Sequence, residues 1–150
     1  MNRSEDPLSL VLIGGSSGSL TLFEEILKLL VNPVSFALIF VLHRGKTSTA
    51  VLPDLFRNKT KIWMSEPNHL DPILAKSAYV AFPDYHLLIG ADKRFYYDLS
   101  EKDFYSRPSV DATFISAAMS GIPVKAAVLL SGANGDGANG MKLLADKVDF

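Results

Sequence analysis

The fold is decided by residues 8–19, LSLVLIGGSSGS, in which an apolar run ends in a turn of glycine and serine. The run at residues 8–13 is almost entirely Leu, Val and Ile, which is typical of a central strand buried on both faces. Beyond the turn, apolar residues recur at helical spacing: Leu20, Phe23, Leu27 and Leu30. The sequence therefore predicts a strand that passes directly into a helix, with Ser16 and Ser17 at the turn between them.

A serine at such a turn has more than one explanation. A Gly/Ser turn between a strand and a helix can bind a phosphate, and it can simply cap the helix. It can also present a nucleophile, because an oxyanion formed there meets unpaired backbone N–H groups and the positive end of the helix dipole. The segment alone leaves these alternatives open.

Composition limits the class of protein. The chain has 150 residues, of which 48% are hydrophobic and 21% are charged, as expected of one globular domain over residues 1–150. Fifteen basic and sixteen acidic residues give a formal net charge of −1, which argues against nucleic acid or an anionic membrane as a partner. The absence of cysteine excludes a disulfide framework, a thiolate metal site and a cysteine nucleophile.

The distribution of apolar residues argues against secretion and membrane insertion. Residues 1–7 include acidic residues and a proline where a signal peptide needs a basic start and an apolar stretch. The longest uninterrupted apolar stretch, residues 34–42, is too short to cross a bilayer. We therefore expect a cytoplasmic protein with no membrane insertion.

Two further apolar runs predict strands of the same sheet. Residues 35–42 lead to His43, and residues 124–130 lead to a polar, glycine-rich loop at residues 131–137. Helices are predicted at residues 51–56, from the opening segment 107–111 to about residue 120, and from about residue 138. Strands that alternate with helices predict an α/β fold: a doubly wound, mostly parallel sheet flanked by helices.

The middle of the chain has a different pattern. Short β-prone pieces at residues 62–64, 77–82, 86–89 and 95–99 are separated by turn residues. This pattern predicts a short antiparallel β insertion or edge rather than another βαβ unit.

Three polar side chains follow the three predicted strands: Ser16, His43 and Asp136. In an open α/β sheet, sites form in the crevice outside the carboxyl ends of the strands. A serine hydroxyl needs a base within hydrogen-bonding reach, imidazole suits that role near neutral pH, and a carboxylate fixes the imidazole tautomer. The order Ser, His, Asp differs from the order in α/β-hydrolases, but geometry rather than order defines such a triad.

Each of these residues also has a simpler explanation. His43 could merely close a strand, and Asp136 could shape its loop through an Asx-turn. His69 and His86 are expected to be loop or strand-edge residues, and the aromatic residues 95–97 are expected to pack in the sheet. Cys, His and Asp do not cluster at metal-ligand spacing, so we predict no metal and no cofactor.

Four segments, in this order, resemble the catalytic domain of CheB-type protein-glutamate methylesterases: residues 13–18 (IGGSSG), 41–43 (VLH), 107–111 (RPSVD) and 130–137 (LSGANGDG). The resemblance covers nearly the whole chain from about Leu8. It implies hydrolysis of glutamate γ-methyl esters on the cytoplasmic domains of chemotaxis receptors, with deamidation of certain glutamines as a second activity.

By position, the resemblance implies a nucleophile, a base and an orienting acid, which are Ser16, His43 and Asp136. It places the backbone N–H of Ala133 in the oxyanion hole and matches Ser17 to a hydroxyl residue beside the nucleophile. Arg107 is expected to contribute to the oxyanion or substrate site. The alternatives are a phosphate- or nucleotide-binding α/β domain and a catalytically silent receptor-interaction domain.

The sequence departs from the family pattern in places. Ser19 and Ala133 replace residues that are more often glycine and a larger side chain, which are mild changes. Family domains usually continue beyond the helix at residues 141–147, so we expect this domain to be incomplete at its carboxyl end, with an unpaired sheet edge and weak activity. Only seven residues precede the first strand, so phosphorylation control by a receiver domain within this chain is not expected.

Overall fold

A five-stranded parallel sheet forms the centre of the computed structural model of the chain. In chain order its strands are β1 (Leu10–Gly15), β2 (Ala37–Leu42), β3 (Met64–Ser65), β4 (Ala78–Val80) and β7 (Val124–Leu129). Across the sheet the order is β3-β4-β2-β1-β7, and each pairing is parallel. The structure describes residues 7–30, 35–43, 54, 56, 62–98, 108–130 and 135–147.

Helices cover both faces of this sheet. They are α1 (Leu20–Leu29), α2 (Val110–Ser120) and α3 (Ala138–Ala145), and a 3₁₀ turn at Ser17–Ser19 joins β1 to α1. Alternate residues of β2 enter two different cores. Ile39 packs in the core that includes α2 and α3, whereas Phe40 packs in the core that includes α1. This arrangement confirms the predicted doubly wound α/β fold.

The middle region is partly antiparallel. Strands β5 (His86–Ile89) and β6 (Phe95–Asp98) form an antiparallel hairpin, as predicted for this part of the chain. The two earlier pieces, however, are β3 and β4, which join the parallel sheet beside β2. Ala78 and Val80 face one core and Tyr79 faces the other, so β4 is buried on both faces like the longer parallel strands.

Some predicted features lie partly or wholly outside the described residues. Of the predicted helix at residues 51–56, the structure describes Asp54 and Phe56, and both are helical. Arg107 and Ala133 lie outside the described residues. Within the described part of the chain, no helix has the length and apolar character needed to cross a membrane.

Candidate active site

The carboxyl ends of β1, β2 and β7 meet at one edge of the sheet. The register places Gly15 of β1 beside Leu42 of β2, and the amide of His43 donates a hydrogen bond to the carbonyl of Gly15 at 2.9 Å. On the other side of β1, the amide of Leu130 donates to the carbonyl of Gly14 at 2.8 Å. Ser16, the residue after β1, therefore lies between His43 and Leu130.

His43 and Asp136 meet directly. The Nε2 atom of His43 makes a hydrogen-bonding contact with Oδ2 of Asp136, although the two residues are 93 positions apart in the sequence. The His43 side chain is 18% exposed, whereas that of Asp136 is fully buried. The structure thus brings together two of the three residues predicted for the triad and places the third on the adjacent strand end.

The first turn of α2 holds the Asp136 carboxylate. The amide of Val110 donates to Oδ2 at 2.7 Å, and the amide of Asp111 donates to Oδ1 at 2.8 Å. The Ser109 hydroxyl donates to Oδ1 at 3.2 Å. With His43 included, each carboxylate oxygen accepts two hydrogen bonds, and the carboxylate faces the positive end of the α2 dipole.

These contacts determine the charge of Asp136. Burial by itself raises the pKa of the carboxyl, because a charged group is poorly solvated inside the protein. The hydrogen bonds from His43 and from the amides of Asp111 and Val110 have the opposite effect, and together they hold the pKa of Asp136 below its usual value. Asp136 is therefore a buried anion at neutral pH.

Capping contacts join α2 to the loop that carries Asp136. Ser109 is the N-cap of α2, where its hydroxyl accepts a hydrogen bond from the amide of Ala112 at 3.0 Å. The buried side chain of Asp111 accepts from the amide of Gly140, in the first turn of α3, at 2.7 Å. Because α2 binds Asp136 and also caps α3, it fixes the segment on both sides of Gly137.

The glycines before Ser16 are required by packing. A Cβ added to Gly14 would lie 2.5 Å from Cγ1 of Val110, in the first turn of α2. A Cβ added to Gly15 would lie 2.9 Å from the Cβ of Ser19. Ser19 is itself buried and accepts a hydrogen bond from the amide of Ser16 at 3.3 Å. The glycines therefore let α2 and the 3₁₀ turn approach the end of β1, and a bound phosphate is not needed to explain them.

The remaining sequence candidates have different surroundings. Ser17 begins the 3₁₀ turn. His69 lies in a turn and accepts from the amide of Tyr97 through Nδ1 at 3.1 Å. Phe95 is fully buried, with its ring centroid 4.7 Å from that of Tyr79, so the predicted packing role is confirmed for this residue, whereas Tyr96 and Tyr97 are half-buried. His86 is the first residue of β5 but is 2% exposed, which a strand-edge position alone does not predict.

The sequence did not identify the groups that hold Asp136. The sequence predicts that residues 107–111 open a helix, and a Ser just before the apolar residues of a helix is a usual N-cap signal. Two of the donors are backbone N–H groups, which every residue except proline carries, so they leave no side-chain signal. Among the described residues, no group of three or more His, Asp and Glu side chains is arranged to hold a metal ion.

The fold and the site define a class of protein: a doubly wound α/β protein with a serine, a histidine and a buried aspartate at the carboxyl ends of adjacent parallel strands. A family model described as CheB methylesterase matches residues 11–148. The chain belongs to the CheB methylesterase family, as its four sequence segments indicate. It is therefore an ester hydrolase.

Relatives and a solved structure support this assignment. A protein of Leptospira interrogans, named a protein-glutamate methylesterase/protein-glutamine glutaminase, is 32% identical over 136 residues, which cover 91% of this chain and 70% of the relative. A Mesorhizobium japonicum protein of the same name is 32% identical over 151 residues, covering 98% of this chain and 44% of the relative. The crystal structure of the Thermotoga maritima CheB methylesterase catalytic domain superposes with a TM-score of 0.84 at 26% identity, covering 92% of this chain and 75% of that chain.

Proposed function

We propose that the chain hydrolyses glutamate γ-methyl esters in the cytoplasmic domains of chemotaxis receptors and deamidates receptor glutamines by the same route. The observation that carries this proposal is the contact between His43 and the buried, ionised carboxylate of Asp136, beside the serine at the end of β1. The relatives named above support the substrate class. The proposal also makes the cytoplasm the place of action, since these receptor domains lie there.

The first half of the reaction uses three side chains. Because Nε2 of His43 binds Asp136, Nδ1 is the ring nitrogen that remains to take a proton. As Oγ of Ser16 attacks the ester carbonyl carbon, its proton passes to Nδ1 of His43. Asp136 keeps its negative charge and stabilises the imidazolium that forms.

The later steps release methanol and then the glutamate side chain. The oxyanion of the tetrahedral intermediate accepts a hydrogen bond from the backbone N–H of Ala133, with Ser17 and Arg107 contributing substrate contacts. Collapse of the intermediate expels methanol, which takes its proton from His43. A water molecule, with His43 again as base, then attacks the acyl-serine and releases the glutamate side chain. One ester and one water give one carboxylic acid and one methanol, and with glutamine the leaving group is ammonia.

A fluorophosphonate probe tests the proposal, because it reacts with a serine that is activated by a neighbouring base. The parent chain should be labelled at Ser16, and the Ser16→Ala variant should not be labelled. The Ser77→Ala variant should be labelled like the parent, because Ser77 precedes the amino end of β4, whereas the candidate site lies at the carboxyl ends of the strands. Methanol release from a methylated chemoreceptor cytoplasmic fragment should follow the same order. An unlabelled parent that binds inorganic phosphate would favour the phosphate-binding alternative. An unlabelled parent that binds the receptor fragment would favour a silent interaction domain.

A further inference from the structure

His86 is a buried titratable residue that the reaction above does not use. It begins β5, it is 2% exposed, and its Nδ1 atom accepts a hydrogen bond from the amide of Ser109 at 3.2 Å. A ring nitrogen that accepts a hydrogen bond from an N–H group carries no proton. The amide of Ser109 therefore assigns the proton of the neutral His86 ring to Nε2. His86 thus presents a lone pair to the N-cap residue of α2.

Ser109 connects this histidine to the candidate active site. Its amide binds His86, its hydroxyl donates to Oδ1 of Asp136 at 3.2 Å, and the same hydroxyl accepts from the amide of Ala112 at 3.0 Å. Residues 109–111 supply three of the four hydrogen bonds described above for the Asp136 carboxylate. The hairpin therefore anchors, through His86, the turn that holds Asp136.

We propose that His86 is a positioning residue for ester hydrolysis, which acts through Ser109 and Asp136 on the orientation of His43. This inference rests on the proposed function, since the effect on turnover requires the triad to be active. A side-chain acceptor is needed because the amide of Ser109 is buried and would otherwise lose its partner. An imidazolium could not serve, because both of its ring nitrogens carry a proton and neither can accept a hydrogen bond.

Two substitutions at His86 separate the acceptor from the bulk of the ring. His86→Leu removes the acceptor, whereas His86→Asn places a carbonyl oxygen near the position of Nδ1. We expect His86→Leu to lower kcat about 10- to 100-fold with little change in KM, the scale known for lost hydrogen-bond partners of metal-binding side chains. We expect His86→Asn to recover most of that loss. If His86→Leu does not fold, His86→Gln replaces it, because its amide oxygen reaches beyond the Nδ1 position.

His69 provides a matched control. Its Nδ1 atom also accepts from a backbone amide, that of Tyr97 on the same hairpin, at 3.1 Å, but this contact does not lead to Asp136. His69→Leu should therefore leave kcat unchanged. An equal loss of kcat in His69→Leu and His86→Leu would overturn the proposal, because it would show that any damage to the hairpin slows the reaction.

A double-mutant cycle tests the route of the effect. If His86 acts through Asp136, His86→Leu should lower kcat less than about threefold in an Asp136→Asn background. The same fold loss in both backgrounds would show that His86 supports the fold generally and would overturn its positioning role.

A measurement that does not depend on turnover separates this inference from the proposed function. The pKa of Asp136, followed by carbon NMR of its carboxyl, should rise in His86→Leu and return towards the parent value in His86→Asn, since His43 and the amides of Asp111 and Val110, next to Ser109, lower it. An inactive parent in which this pKa moves would overturn the proposed function and leave the link from His86 to Asp136 intact. An unmoved pKa would overturn that link whatever the activity.

Discussion

Strands β2 and β7 flank β1 and each leads to one partner of the His43–Asp136 contact, but they differ in burial. All six residues of β2 are buried, so His43 follows a strand enclosed on both faces. In β7 only Val124 is buried, and Val128 and Leu129 are 36% and 38% exposed. Among the described residues, β7 pairs with β1 alone.

The difference shows that the two partners are positioned by different forces. Apolar burial of β2 fixes the backbone from which His43 extends. Asp136 lies several residues beyond an edge strand, and hydrogen bonds from α2 to its charge hold it instead. We therefore expect the His43 side of the site to respond to loss of apolar volume, and the Asp136 side to respond to loss of charge.

The largest expected effect tests whether both regions serve one nucleophile. Ser16→Ala should lower ester turnover by about 10⁶-fold, the scale for loss of a triad nucleophile. Its thermal melting should change little, because a turn hydroxyl contributes at most about 1–2 kcal/mol. His43→Ala should behave in the same way, and the double variant should be no slower than either single variant. Losses that multiply would show that the two residues act separately.

The next effect tests the charge on the β7 side. Asp136→Asn should lower kcat by about 10⁴-fold, because the amide neither holds the imidazole tautomer nor stabilises the imidazolium. It should also lower the free energy of unfolding, since its NH₂ group would face the amide donors of α2. The exposed Asp146, at the end of α3, gives the control Asp146→Asn, for which kcat and stability should match the parent. Near-parental turnover in Asp136→Asn would favour a loop-shaping role.

These two regions also differ in how far the sequence predicts them. Strands β1 and β2 and the polar residues after them could be predicted, because burial on both faces leaves an unbroken apolar run that ends at the site. Strands β3 and β4 have two and three residues, which is too short for a period to distinguish parallel from antiparallel pairing. The hydrogen bonds that hold Asp136 could not be predicted, because two of them come from the backbone amides of Val110 and Asp111, which only the tertiary fold brings to it.

A matched pair of valine-to-alanine substitutions measures the difference in burial directly. Val41 in β2 is fully buried and Val128 in β7 is 36% exposed. Val41→Ala should lower the free energy of unfolding by about 2–3 kcal/mol, from two buried methyl groups and the cavity they leave. Val128→Ala should cost about 0.5–1 kcal/mol, because water already reaches that side chain. Urea unfolding of the two variants gives both values, and equal costs would contradict the contrast between the strands.

The smallest expected effect appears only at acidic pH, where it separates the contribution of the Asp136 charge from that of apolar burial. The ordinary pKa of an aspartate carboxyl is 3.8, and the pKa of Asp136 is lower in the folded protein. Such a group stabilises the fold when the pH is above 3.8, and this stabilisation is lost as the pH falls through the lowered pKa. The stability difference between the parent and Asp136→Asn should therefore be largest near neutral pH and shrink below about pH 4. The cost of Val41→Ala should stay constant over the same range, because no proton is involved. Urea midpoints between about pH 3 and pH 7 measure both trends. A constant difference for Asp136→Asn would mean that the contacts from α2 do not depend on the carboxylate charge.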